Sequence, residues 1–317
     1  MPERDGAAAG DRAARRERTG ADGRAAGGGA TPARVAVRKT YKLYVGGAFP
    51  RSESGRSYLV TGADGTPLAN ASLASRKDVR DAVVAARRAQ PGWAGATAYN
   101  RGQVLYRVAE MLEDRAEQFG DAVVAGEGLE PAAAAREVAA AVDRVVWHAG
   151  WTDKLAQVAG SANPVAGPYF NFSLPEPTGV VGVVAPQSSS LLGLVSVVAP
   201  PLVSGNAVVV IASEDRPLAA VTLGEVLATA DVPAGAVNIL TGRTAELAPV
   251  LAAHRDVDAL DLAGAPAELA TELERAAAGS VKRVVRSQPE PDWHGDPGLR
   301  RILAFVETKT VWHTVGI

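Results

Sequence analysis

The sequence predicts an α/β protein: an open parallel sheet with flanking helices, plus a small separate β element. Three observations carry that prediction. Five short apolar runs, Val180–Ala185, Ala207–Ile211, Val237–Leu240, Ala259–Leu262 and Val281–Val285, have the length and valine content of strands buried on both faces. Helical stretches separate them at Leu191–Val203, Pro217–Ala230, Ala245–Ala253 and Pro266–Ala278. The 317 residues are 47% apolar and 21% charged, the balance of a globular chain.

In chain order, residues 1–34 read as a disordered tail. Residues 1–30 hold no Val, Ile, Leu, Phe, Tyr or Trp, so ordering them has nothing apolar to offset its entropy. Acids interrupt the tail's arginines, which favours a solvated tail over a nucleic-acid-binding arm. Tyr41–Val45 and Ser57–Val60 are short β-prone runs expected to form a hairpin. A helix should follow Ser75, with Asp78 in capping-box spacing and Val79, Ala82, Val83 and Ala86 on one face. A second helix carries Leu105, Val108, Ala109, Leu112 and Phe119. A third starts at Pro131 and presents Val138, Val142, Val145, Val146 and Ala149. Tyr169–Leu174 alternates like a strand.

Several chemistries are excluded. There is no Cys, hence no disulfide and no cysteine nucleophile. The four His, at 148, 254, 294 and 313, lack metal-ligand spacing. A net charge of −2 gives no whole-chain pull toward nucleic acid or a membrane, and no apolar run is long enough for a bilayer. A cytoplasmic protein is expected. Parallel sheets bind ligands beyond the carboxyl ends of their strands, so Pro186–Ser190, Ala212–Arg216, Thr241–Thr244 and Ala263–Pro266 are the candidate loops. No G-x-G-x-x-G, P-loop or G-x-S-x-G motif occurs there. Ser188, Ser189 and Ser190 either cap the following helix or offer hydroxyls to a phosphate. Glu214 either bonds ribose hydroxyls or, with Ser213, caps a helix.

These runs resemble the NAD(P)-dependent aldehyde dehydrogenase superfamily. The resemblance is carried by PTGVVGVVAP at 177–186, VAPPLVSGNAVVV at 198–210, the stretch 213–242 ending in NILTG, and HRDVDALDLAG at 254–264. LYVGGAF at 43–49, AVVAARRAQPGWAG at 82–95 and WHAGWTDKL at 147–155 agree with it. It implies an NAD(P)-binding-like domain over 35–287, with an oligomerisation hairpin near 169–174. It implies cofactor contacts at Pro186, Ser188, Ser213, Glu214, Gly242 and Gly264.

The departures from the family are as informative. Where the family has Trp-Asn-Phe-Pro after Ala-Pro, this chain has Gln187-Ser188-Ser189-Ser190, so Ser188 stands at the oxyanion-hole Asn. Lys-Pro-Ser-Glu becomes Ile211-Ala212-Ser213-Glu214, and Phe-Thr-Gly-Ser becomes Leu262-Ala263-Gly264-Ala265. Ser287 stands at the general base. Residues 288–302 read as a linker replacing the catalytic domain, before a C-terminal oligomerisation strand at 303–317 that contains FVETKTVWH. The resemblance therefore implies a catalytically inactive subunit that assembles with a full-length aldehyde dehydrogenase, with NAD or NADP bound weakly or not at all. The alternatives are a weakly active oxidoreductase, a nucleotide-sensing module, or a decayed fragment.

Overall fold

The computed structural model describes residues 37–286 and 291–315. The expected tail and Ser287 lie outside them.

The N-terminal strands are β1 (Thr40–Tyr41), β2 (Ser57–Thr61) and β3 (Pro67–Ser72). The expected hairpin between 41–45 and 57–60 is corrected: β2 pairs antiparallel with β3, and β1 lies parallel on the other side of β3. The Ala-Asn-Ser sequence of β3 has little β preference, and pairing on both edges overrides it. Tyr44 ties this part to the main sheet through reciprocal backbone bonds with Ile239 at 3.0 and 2.7 Å.

Helices follow: α1 (Arg76–Gly95), α2 (Ala98–Asp114), α3 (Ala116–Glu127), α4 (Pro131–Trp151) and the short α5 (Leu155–Ala159). Ser75 and Asp78 form a reciprocal capping box on α1. The single helix expected through Phe119 is broken at Arg115, whose backbone leaves the helical region at φ −108°, ψ 21°. The Arg115 guanidinium holds Glu225 at 3.1 Å.

The chain then makes β4 (Ser161–Asn163) and β5 (Tyr169–Pro177), and enters the repeating unit: β6 (Val180–Val184), α6 (Leu192–Val203), β7 (Ala207–Ile211), α7 (Leu218–Thr229), β8 (Val237–Leu240), α8 (Thr244–Ala253), β9 (Ala259–Asp261), α9 (Ala267–Ala278) and β10 (Arg283–Val285). All five sheet strands are parallel, in the order β10-β9-β6-β7-β8. Side chains alternate across the sheet as the strand period requires. Val181, Val183, Val208 and Val210 pack with α2, α3, α4, α6 and α7, while Val180, Val184, Val209 and Ile211 pack with α1, α8 and α9. The three-layer sandwich follows from strands that are apolar on both faces.

Last come α10 (Arg300–Ala304) and β11 (Val306–Thr314). β11 pairs antiparallel with β5 over nine consecutive residues, from Val306↔Pro177 to Thr314↔Tyr169. With β4 on the far edge of β5, this forms a second sheet, β11-β5-β4. Phe305 belongs to the main core rather than to that strand: it is fully buried, and its carbonyl accepts from Thr178 N and Asn206 Nδ2. Among the described residues no helix is long and apolar enough to cross a membrane.

Candidate functional site

β6 is the strand from which the sheet runs both ways, to β7 and β8 on one side and to β9 and β10 on the other. Loops leaving its carboxyl end diverge from those of its neighbours, and that divergence makes a ligand crevice. The sequence-predicted residues gather there.

Pro186 is buried at the end of β6. Gln187, which no motif singled out, spans the crevice. Its Nε2 donates to Ala185 O at 2.7 Å, and its Oε1 accepts from Glu214 N at 3.0 Å. Its carbonyl accepts from Ser213 Oγ at 3.1 Å. Ser188 is exposed, and its carbonyl accepts from Arg216 Nη1 at 2.9 Å. Its neighbours have structural partners. Ser189 Oγ accepts from Gly193 N at 2.7 Å, satisfying an open donor at the start of α6. Ser190 donates through both N and Oγ to Glu127 Oε1, at 2.7 and 2.6 Å.

On the β7 side, Ser213 Oγ also accepts from Arg216 N at 3.3 Å. Of the two roles open to Glu214, the structure forms a helix cap, but on a helix distant in sequence. Its carboxylate accepts from Thr244 N, at the start of α8, at 3.0 Å, and from Arg243 Nη1 at 2.5 Å. The acid is favoured there by the unpaired amides and dipole of the helix N-terminus. The bond to Glu214 raises the Arg243 guanidinium above its ordinary value. Tyr58 donates its hydroxyl to Glu214 O at 3.0 Å, and burial, followed by the nearby Glu214 charge, pushes its phenol up.

Two glycines are required by close approach. Gly242 turns at φ +148°, where a Cβ would press on Ala74 N and Leu247 Cδ1, each at 3.2 Å. Gly264 donates to Val184 O at 2.9 Å, and a Cβ there would collide with the Ala185 carbonyl. The β9 loop is thus pressed onto the end of β6. Ile211 is fully buried at the end of β7.

Asp261, at the end of β9, was not singled out in the sequence; its only signal was an acid inside an apolar run. It is fully buried, accepts from Ala263 N at 3.1 Å, and is paired with Arg301 of α10. Burial pushes its carboxyl up, and Arg301 opposes that shift. The segment before α10 is tied down as well. Buried Arg144 of α4 donates through Nη2 to Trp293 O at 2.6 Å and Gly295 O at 2.9 Å.

An open parallel sheet with a crevice at its switch strand defines the class: an α/β nucleotide-binding type of fold. The aldehyde dehydrogenase family profile matches residues 49–287, and the chain belongs to that family. It is 35% identical over 256 residues to 2-hydroxymuconic semialdehyde dehydrogenase of Pseudomonas sp. (strain CF600), covering 78% of this chain and 51% of that one. It is 28% identical over 256 residues to an aldehyde dehydrogenase of Aspergillus niger, covering 80% and 51%. Among solved structures, the NAD+ complex of aldehyde dehydrogenase from Bacillus cereus aligns with a TM-score of 0.73 at 25% identity, covering 78% and 50%. HpcC from Thermus thermophilus aligns at 0.74 and 28%, covering 78% and 47%. The chain spans about half the length of these relatives.

A dinucleotide in this crevice would need a free ribose acceptor, a cationic or hydroxyl donor for the pyrophosphate, and space between the β6 and β7 loops. Each Glu214 oxygen already accepts one bond, Ile211 carries no side-chain donor, and Gln187 and Arg216 are bonded to the facing loop. A dinucleotide would have to share or displace these internal contacts.

Proposed function

We propose that this chain is a catalytically inactive member of the aldehyde dehydrogenase family that works in the cytoplasm as a subunit assembled with a full-length aldehyde dehydrogenase. The observation that carries the reading is the unbroken β5–β11 ladder. β10 ends at Val285 and β11 begins at Val306, so the chain returns to the small sheet without room for a catalytic domain between them. Aldehyde oxidation in this family runs through a covalent thiol adduct, and these 317 residues hold no Cys. The small sheet, by contrast, is formed, with its three strands in the order β11-β5-β4. Tyr169, Phe170, Leu174 and Trp312 stand exposed on it, and the outer edge of β11 pairs with no other strand among the described residues. An unpaired, partly apolar edge strand is a template for another chain. The same reading expects NAD and NADP to bind weakly or not at all.

Two assays test it. Purified chain, given varied aldehydes with NAD or NADP, should show no turnover; a rate above about 1 s⁻¹, within the ordinary enzyme range, overturns inactivity. Co-expressed with a full-length aldehyde dehydrogenase of its own genome, the chain should elute with that enzyme on size exclusion. A second reading, a nucleotide-sensing module, is favoured only by retention of Glu214 and Gly264. Low-micromolar dinucleotide binding would move the conclusion to it.

A further inference from the structure

We propose that the cavity between α4, α6, the end of β10 and the segment 291–301 binds a small oxyanion carrying a hydroxyl, with buried Arg144, His148 and Ser196 as its inner wall. The cavity measures about 140 Å³ and shares no lining residue with the crevice beyond β6 and β7. At about 30 Å³ per water-sized atom it has room for about five, the count in phosphate or in a two-carbon hydroxy acid. All three wall residues keep a polar function in reserve. Arg144 donates from Nη1 to Ser196 Oγ at 3.1 Å and from Nη2 to the carbonyls of Trp293 and Gly295. These acceptors are neutral. Its Nε and second Nη1 hydrogens have no partner among the described residues, and no described carboxylate forms an ion pair with it. A buried charge without a counter-ion is costly, and an anion in the adjoining cavity offsets that cost. Burial pulls the guanidinium down, while Asp296 and Asp292 oppose the shift without bonding to it. Those two acids are exposed and cap their own turns, accepting from Gly298 N and from His294 N and Gly295 N. Arg301 and Arg286 also line the cavity but are spoken for, by Asp261 and Glu274.

His148 sets the hydroxyl requirement. Its Nδ1 lies 2.7 Å from the Arg144 carbonyl, which only accepts, so Nδ1 carries the ring proton. Nε2 is then an acceptor, without a partner among the described residues. Burial pulls the ring's pKa down to about 4, so it is neutral at neutral pH. Ser196 Oγ accepts from Arg144 and keeps its own hydrogen to donate. The wall therefore offers a cationic donor and a hydroxyl donor to an oxyanion, and one acceptor to an O–H group. Hydrogen phosphate and a short α-hydroxy acid bring both functions. Sulfate and acetate bring only acceptors and leave Nε2 facing a second acceptor.

Calorimetric titration of phosphate, sulfate, glycolate and acetate into the whole chain tests the proposal, at neutral pH and constant ionic strength, with circular dichroism to confirm that variants fold. Phosphate or glycolate should bind at about 1 mM or tighter. It should bind at least about fivefold more tightly than sulfate or acetate respectively, because a buried acceptor left unpaired is penalised. The pair that responds identifies the ligand. His148→Gln, whose amide donates as well as accepts, should bring the two members of that pair within about twofold of each other. Arg144→Met should weaken binding at least about tenfold. If that variant does not fold, Arg300→Ala, on the cavity's exposed rim, should weaken it at least about twofold. No binding of phosphate or glycolate below about 10 mM overturns the proposal. So does equal affinity within both pairs, or folded variants that bind as the unaltered chain does. Assembly with a partner plays no part in these readouts, so failure of the partner reading would be seen separately.

Discussion

The five-stranded parallel sheet and the β11-β5-β4 sheet meet the same requirement, pairing polar backbone and covering apolar side chains, in opposite ways. The large sheet does so internally. Strands β6 to β9 are buried on both faces, and the loops at the sheet's carboxyl ends bond to one another across the crevice. The small sheet does so incompletely. Tyr169 is 43% exposed, Phe170 53% and Trp312 62%, although Tyr169 and Trp312 meet edge to face at 5.8 Å. The side chains at the carboxyl ends of the large sheet are bonded to one another, while the small sheet leaves aromatic side chains exposed and the outer edge of β11 unpaired among the described residues. On the proposed reading, that exposed surface is where a partner subunit docks.

The largest expected effects lie where the two regions join. Phe305 anchors the small sheet in the main core, so Phe305→Ala should cost about 3–5 kcal/mol of stability by chemical denaturation. A truncation meant to remove only the small sheet's last strand must therefore begin at Val306. The next effect reports on the closed interior through pH. His148 is buried, with Nδ1 2.7 Å from Arg144 O, and burial pulls its pKa down from 6.5 to about 4. Below pH 6.5 the unfolded chain takes up a proton that the folded chain refuses. Stability should fall between about pH 6.5 and 4, by up to about 3 kcal/mol for this group. Denaturant melts of His148→Gln, which cannot titrate, should show a shallower fall in that window. Glu214→Ala removes the α8 cap and should cost about 0.5–2 kcal/mol; no loss would mean the cap is not formed in solution. The smallest stability effect belongs to the open sheet: Trp312→Ala should cost under about 1 kcal/mol while weakening assembly. A large loss of folding stability there would mean that the face serves its own subunit.

Most of the large sheet was legible in the sequence because its signal is local. Continuous valine-rich runs fix the strands, and Ala207–Ile211 and Val237–Leu240 coincide with β7 and β8 end to end. Two failures have different physical causes. β3 is built from Ala, Asn and Ser, and its pairing on both edges is a tertiary effect that no window of sequence displays. The break at Arg115 interrupts a stripe whose apolar spacing is continuous on both sides. The candidate site divides similarly. Its loops were located by topology alone, and Gly264 and Gly242 stand where close backbone approach demands them. The Glu214 cap on α8 and the two-sided bridge of Gln187 join residues far apart in the chain. Their side chains suit many partners, so sequence alone could not choose among them.

Native mass spectrometry of the chain co-expressed with a full-length aldehyde dehydrogenase of its own genome tests the central claim most directly, run beside a chain ending at Phe305. The intact chain should appear in mixed oligomers containing both polypeptides, and the shortened chain, still folded, should not. An intact chain that stays monomeric, while the full-length enzyme forms only oligomers of itself, would contradict the claim.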